Sequence, residues 1–357
     1  MKLTEENILN MMPTTRYQGS KRSILPWLYE SLKDLDFRTV LDGFGGTGSV
    51  TFLFKLMGKE VTFNDILLSN YMSGVALIEN NSIRLEQDDI DFILNENGFR
   101  HPTFIEDTFQ GIYYLPKENK WLDVTSHNIR MLSHKYRGDI LRKKQALAYH
   151  GLFQACLCKR PFNLFHRKNL YLRTARVERS FGNRKTWNTS FQKLFLKFSN
   201  EVSQKILPTK FKHTVMCEDI MKVRKRKFDL VYLDPPYARE NETQPKDYSS
   251  LYHFFECMLD YDNWANKINW DTANRGLIRQ KTGWDRGTIE ENFDKLFAKF
   301  QDSIIVVSYG DPGFPSVDKI RKLLKQYKSS VRVVKRPYNY KLNHKNGGLY
   351  EVLIIGT

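Results

Sequence analysis

The sequence predicts an α/β fold in which one Rossmann-like sheet is interrupted by an inserted, mainly helical segment. Three observations carry this expectation. A strand, glycine turn, helix and strand follow one another near the start; apolar runs alternate with charged helical stretches again beyond residue 211; and the region between lacks that rhythm. Residues 1–98 and 211–357 are therefore assigned to one sheet domain and 99–210 to an insert, a division compatible with a chain of 357 residues.

Taken in order, residues 23–33 have a helical pattern, 39–42 form a short apolar run typical of a buried strand, a glycine turn leads into a helix reaching about Met57, and 60–64 give a second strand. In the C-terminal part, strands are expected at 228–233, 303–308, 331–335 and 350–355, with a charged helix over 317–328. No repeat or low-complexity tract interrupts this order.

Composition narrows the class of molecule. Hydrophobic content of 41% and aromatic content of 13% describe a chain that folds, while a net charge of +16 and pI near 9.5 favour a polyanionic partner. No run of the ~18–20 apolar residues needed to span a bilayer occurs, and the first residues lack a signal-peptide core, so a cytoplasmic location is expected. Cys156, Cys158, Cys217 and Cys257 lack zinc-site or CxxC spacing and read as reduced structural thiols.

Two motifs carry chemistry. Asp42-Gly43-Phe44-Gly45-Gly46-Thr47-Gly48 follows a strand and opens a helix, where glycines let the backbone turn and approach a nucleotide-like ligand. Asp65 ends the next strand, where an acidic residue binds ribose hydroxyls. Such turns also occur simply to pack helix on strand, and glycines alone do not separate NAD from S-adenosylmethionine. The carboxylate of Asp42 favours the latter, since it would repel a pyrophosphate and suits the ammonium of a methionine moiety.

The second motif, Asp234-Pro235-Pro236-Tyr237, follows the apolar run 228–233, at the carboxyl end of a buried strand. Two prolines make a rigid turn whose carbonyl oxygens are left as acceptors. If Asp234 and the Pro235 carbonyl accept the two protons of an arylamine, the nitrogen gains sp³ character and its lone pair can attack a methyl group. Tyr237 suits stacking on a base withdrawn from its duplex.

With these residues in hand, the sequence resembles the α-class (D12-type, Dam-like) DNA adenine-N6 methyltransferases, whose fold is a Rossmann-like S-adenosylmethionine-dependent methyltransferase sheet with an inserted DNA-recognition domain. Arg16-Tyr17-Gln18-Gly19-Ser20-Lys21 resembles the segment holding the methionine part of the cofactor, Asn64-Asp65-Ile66 its ribose-binding turn, and Cys217-Glu218-Asp219-Ile220 the segment whose aspartate binds its adenine. The resemblance implies Tyr17, Gly19, Lys21, Asp42, Phe44, Gly45, Gly46, Thr47, Gly48, Asp65, Ile66, Asp219 and Asp234 as cofactor-binding residues, and Asp234, Pro235, Pro236 and Tyr237 as catalytic. It covers roughly residues 13–75 and 215–357, with Gly43 where the family usually has proline.

The middle is strongly basic. From Lys159 to Lys197 there are 11 Lys and Arg against one acidic residue, Glu178, a net +10, with seven aromatics interleaved. Arg160, Arg173, Arg176, Arg179, Arg184 and Lys185 are expected to contact DNA. Phe191, Leu194, Phe195 and Phe198 have helical spacing and are expected in the core. The resulting picture is a bacterial, nucleoid-associated monomer acting on double-stranded DNA, alongside a restriction endonuclease that acts separately on the same site. An RNA amino-methyltransferase, an N4-cytosine methyltransferase, a dehydrogenase and a non-catalytic regulator are the competing readings.

Overall fold

Where the order of a parallel sheet reverses, a crevice opens at the strands' carboxyl ends, and the reversal here falls between two strands that carry motifs. The computed structural model describes residues 3–165, 170–175, 184–239, 242–278, 283–337 and 349–357. Its strands are β1 (Thr39–Asp42), β2 (Glu60–Asn64), β3 (Thr214–Met216), β4 (Leu230–Leu233), β5 (Ile304–Asp311), β6 (Val331–Pro337) and β7 (Tyr350–Gly356). They form one sheet in the order β3-β2-β1-β4-β5-β7-β6. Strands β1 to β5 pair in parallel, and β7 runs antiparallel between β5 and β6. The α/β, Rossmann-like expectation therefore holds, with the reversal between β1 and β4.

Burial follows position in the sheet. Every residue of β4 is buried, as are the last six of β7, whereas the edge strands β3 and β6 are only partly covered. The expected helix at 23–33 divides into a 3₁₀ turn, Lys21–Ile24, and the helix Leu25–Leu32, with Pro26 in its first turn. The helix expected over 317–328 ends at Leu324.

One sheet face packs Leu25, Leu28, Phe52, Phe54 and Val61, and the other packs Ile220, Phe228, Phe293, Phe297 and Ile320. A third, aromatic core joins Phe109, Tyr113, Phe153, Phe165, Phe191 and Phe195 of the middle segment to Tyr252, Phe254, Phe255 and Trp264, which follow the second motif. The rings of Phe165 and Phe254 stack at 4.9 Å with an interplanar angle of 7°. Segment 99–210 is thus not closed on itself. Its long helix, Gly138–Cys158, contributes Ala146 and Leu147 to the sheet core and Leu152 and Phe153 to the aromatic one. Phe191, Leu194, Phe195 and Phe198 are buried, as their spacing predicts.

Two basic residues expected to meet DNA lie inside instead. Arg173 is 4% exposed and donates to both carboxylate oxygens of Glu118 at 2.6 Å, while Lys159, 1% exposed, reaches the same carboxylate at 2.9 Å. Arg160, 2% exposed, lies 4.6 Å from the ring centroid of Tyr113 and donates to the Leu164 carbonyl. These side chains close the aromatic core with cations over rings and one shared carboxylate, so the run of charge is partly internal. Lys185 is exposed. Arg184 begins a short helix, with its side chain outside the described set, and Arg176 and Arg179 lie outside the described residues.

Burial opposes ionisation of Glu118, but Arg173 and Lys159 outweigh it and hold its carboxyl below the usual range. Replacing Glu118 by Gln leaves both cations without their counter-charge, and urea unfolding should show a loss of about 3–5 kcal/mol; a loss below about 1 kcal/mol would contradict this role.

Candidate active site

The crevice at the β1/β4 reversal is a cavity of about 810 Å³. Its wall takes Tyr17, Gly19 and Lys21 from the N-terminal segment, Asp42, Phe44, Gly45, Gly46 and Thr47 from the glycine turn, and Asp65, Ile66 and Asp219 from the ends of β2 and β3. Asp234, Pro235, Pro236 and Tyr237 complete it from β4. Of the residues singled out in the two motif regions, only Gly48 is set back, at the N-cap of the helix Ser49–Leu56.

The glycine turn is held from several sides. Gly43 donates its N–H to the Tyr232 carbonyl at 2.9 Å, and the Asn64 amide bridges the carbonyls of Gly43 and Glu218. A Cβ on Gly45 would stand 2.1 Å from the Phe63 ring, so the turn passes over that ring with no room for a side chain. Gly46 and Leu67 donate backbone N–H groups to Asp65 at 2.8 and 2.9 Å. Thr51 donates its hydroxyl to Asp42 at 2.5 Å. Phe44 meets Trp284 edge to face, at 5.2 Å.

Opposite the turn, Tyr17 stacks on Tyr252 at 4.6 Å and on Tyr248 at 5.6 Å. Glu256 accepts the N–H groups of Leu68 and Ser69, both at 2.8 Å, and so caps the helix Leu68–Gly74 across the cavity. The Tyr237 ring leans on Tyr309 at 4.4 Å, and a Cβ on Gly310 would come within 2.0 Å of the Tyr237 hydroxyl.

Lys21 lies between two carboxylates, 2.9 Å from Asp234 Oδ2 and 3.3 Å from Glu351 Oε1. Burial alone would depress the Lys21 ammonium, but Asp234 and Glu351 raise its pKa well above the ordinary value. Burial lifts Asp42 to about 7, against the Thr51 hydrogen bond, and Asp65 to about 6, against the Leu67 and Gly46 N–H groups. Asp234 rises to about 6, because burial, aided by Glu351, outweighs Lys21.

The wall is acidic although the protein is basic. Asp42, Asp65, Glu218, Asp219, Asp234, Glu242, Glu256, Asp260 and Glu351 line it, against Lys21, Arg239, Lys246 and Lys267. Such a wall favours a cationic guest. Motif reading misses Glu351 and Trp284, which lie outside the two motifs. Glu351 alone leaves a trace in the sequence, as a carboxylate inside the apolar run of β7.

This arrangement, a glycine turn and an Asp-Pro-Pro-Tyr turn facing one cavity with a basic segment between them in sequence, has a counterpart. The family model for D12 class N6 adenine-specific DNA methyltransferases matches residues 17–263. The chain belongs to that family. The match runs through the middle segment, where no motif stands out. This methyltransferase is 29% identical over 346 residues to the type II methyltransferase M2.HphI of Haemophilus parahaemolyticus, spanning 93% of this chain and 94% of that one. It is 25% identical to modification methylase StsI of Streptococcus sanguinis and 24% to modification methylase LlaI of Lactococcus lactis subsp. lactis, matches that span 95% and 87% of this chain. It covers about half of those two longer proteins, 51% and 49%.

Gly45→Ala must push the glycine turn off Phe63. Chemical denaturation should show a loss of about 1–3 kcal/mol, and an unchanged midpoint would contradict the tight approach.

Proposed function

We propose that this DNA methyltransferase transfers the methyl group of S-adenosylmethionine to N6 of an adenine extruded from double-stranded DNA, as the modification enzyme of a restriction-modification system. One observation carries the reading: a single cavity holds both the acidic glycine-turn wall and the Asp234-Pro235-Pro236-Tyr237 turn. The naming of three relatives as type II or modification methylases supports the biological setting.

The residues fit S-adenosylmethionine, whose ammonium and sulfonium suit nine carboxyl side chains against four Lys and Arg. When bound, it supplies the electrophilic methyl group. Asp42, with Tyr17, Gly19 and Lys21 nearby, would hold the methionine end, Asp65 and Ile66 the ribose and Asp219 the adenine. Gly45, Gly46 and Thr47 line the same cavity, and Phe44 would supply an aromatic ring for the sulfonium.

Lys21 engages Oδ2 of Asp234 and leaves Oδ1 to accept one amino proton, while the Pro235 carbonyl accepts the other. The nitrogen lone pair, withdrawn from the ring, then points toward the donor. Tyr237, backed by Tyr309, stacks on the base. Lys185 and the arginines 176, 179 and 184 contact the duplex, mainly at phosphates. Among the described residues no helix is long and apolar enough to cross a membrane.

Tritium from labelled S-adenosylmethionine should enter DNA and not RNA. Asp234→Ala should lower kcat/KM at least ~10²–10³-fold, the scale of losing a preorganised polar partner, with DNA affinity retained in gel-shift assays; unchanged turnover would remove Asp234 from the mechanism. The ionised carboxylate is the stronger acceptor and the one that can take up a proton, so with S-adenosylmethionine saturating, kcat/KM of the wild type for DNA should fall about tenfold per pH unit below about 6, where Asp234 protonates.

Asp42 offers a separate test. With a pKa of about 7 in the free protein, it is partly protonated at neutral pH, and a bound ammonium favours its ionised form. Calorimetry of S-adenosylmethionine binding at pH 7 in buffers of different ionisation enthalpy should show proton release and weaker binding at lower pH. Asp42→Asn should abolish much of that release; an equal release in the variant would refute the assignment.

A further inference from the structure

Glu351 is an unusual residue for its place. It lies within Tyr350–Gly356, an otherwise apolar strand flanked by two others, and only 6% of it is exposed. A buried carboxylate in such a strand is costly, and an apolar side chain of similar size would stabilise the sheet as well or better. Its partners nevertheless lead directly to the candidate chemistry. Ser308 of β5 donates its hydroxyl to Oε1 at 3.1 Å, and the same oxygen is 3.3 Å from Lys21 Nζ, which in turn is 2.9 Å from Asp234.

We infer that Glu351 is a positioning residue for methyl transfer, acting through Lys21 to keep the Asp234 carboxylate oriented and its negative charge uncancelled. The inference rests on the role of Asp234 proposed above. With Lys21 and Asp234 alone, the pair is neutral and the acceptor is spent on its own counter-ion. A second carboxylate on the ammonium leaves the trio with one net negative charge, facing the position where the target nitrogen becomes positive. That charge arises because the nitrogen lone pair forms the new N–C bond while the S–C bonding pair remains on sulfur. One N–H proton then passes to the Asp234 carboxylate and on to water, and its bonding pair returns to nitrogen. A trio of net charge −1 stabilises the charged nitrogen and can take that proton.

Other titratable or charged groups near the trio are Tyr232 from β4, Tyr237 from the Asp-Pro-Pro-Tyr turn, Asp42 from β1, Lys246 from the segment beyond the turn and Arg336 of β6, which pairs with Glu351 in register. Within the sheet, Ser308 of β5 supplies a hydrogen bond to Glu351. Glu351 therefore acts on Asp234 in two ways, through the ammonium they share and directly as a like charge that raises the Asp234 pKa.

The test is Glu351→Gln in the full-length protein, which keeps the shape of the side chain and removes the charge. Steady-state kcat on DNA at neutral pH should fall roughly tenfold, the equivalent of one pKa unit of lost interaction, with KM for DNA within about twofold. The acid limb of kcat/KM should move to lower pH by roughly 0.5–1 unit, because Glu351 no longer raises the Asp234 pKa. The carboxyl titration of Asp234, read by NMR on protein with ¹³C-labelled aspartate in the absence of ligands, should move the same way. Glu351→Leu should unfold at the same temperature as the wild type or higher, yet show the same loss of kcat. An unmoved acid limb and titration in Glu351→Gln, or failure of that variant to fold, would overturn the inference. Asp234→Ala run in parallel separates the two failures: if it is inactive while Glu351→Gln behaves as wild type, only the positioning role falls, and if it is active, the proposed reaction falls as well.

Discussion

Two adjacent parallel strands whose connections leave in opposite directions cannot have their carboxyl ends covered by the same helix. Strands β1 and β4 are in that position, with Asp42 paired to Tyr232 in register, so the glycine turn after β1 and the Asp-Pro-Pro-Tyr turn after β4 open onto the same crevice. The remaining features follow from filling the space around that crevice. Phe63 supports the glycine turn from below, Asn64 ties it to the turn after β3, and Tyr309 supports Tyr237. These supports are aromatic rings and a side-chain amide, and the Asp65 carboxylate adds to them by accepting the Gly46 N–H.

Electrostatically the molecule is divided. The interior cavity is acidic while the whole chain carries +16, so a cationic guest and a polyanionic one are directed to different surfaces of the same protein. The cost of the acidic interior appears in the carboxyl groups of Asp42, Asp65 and Asp234, all raised by burial. Lys21, held by Asp234 and Glu351, joins the N-terminal segment to both β4 and β7, so the parallel and antiparallel parts of the sheet meet at one ammonium.

The middle segment is bound to this arrangement through its aromatic core and not through a linker. Apolar residues that follow the Asp-Pro-Pro-Tyr turn, among them Tyr252, Phe254, Phe255 and Trp264, are buried among those of 109–198. From the same stretch, Tyr252 stacks on Tyr17 and Glu256 caps the helix beside Asp65, so the packing of the middle segment is transmitted to the cavity wall.

Local chemistry made much of this legible in the sequence. The strands other than the three-residue β3, the two turns after β1 and β4, and the burial of Phe191, Leu194, Phe195 and Phe198 are written in runs of apolar residues, glycines, prolines and helical spacing, all short-range signals. The basic stretch was harder to read, because a lysine or arginine has the same letter whether it faces solvent or a buried partner. Only the approach of Glu118, 41 residues before Lys159, and of the Tyr113 ring places Lys159, Arg160 and Arg173 inside. Likewise Lys21, Asp234 and Glu351 are far apart along the chain, and no local pattern joins them. The sequence by itself determined which residues could turn, stack, accept or carry charge. The tertiary structure alone decided which of them share a charge or a ring, because those contacts depend on strand order and on packing between segments distant in the chain.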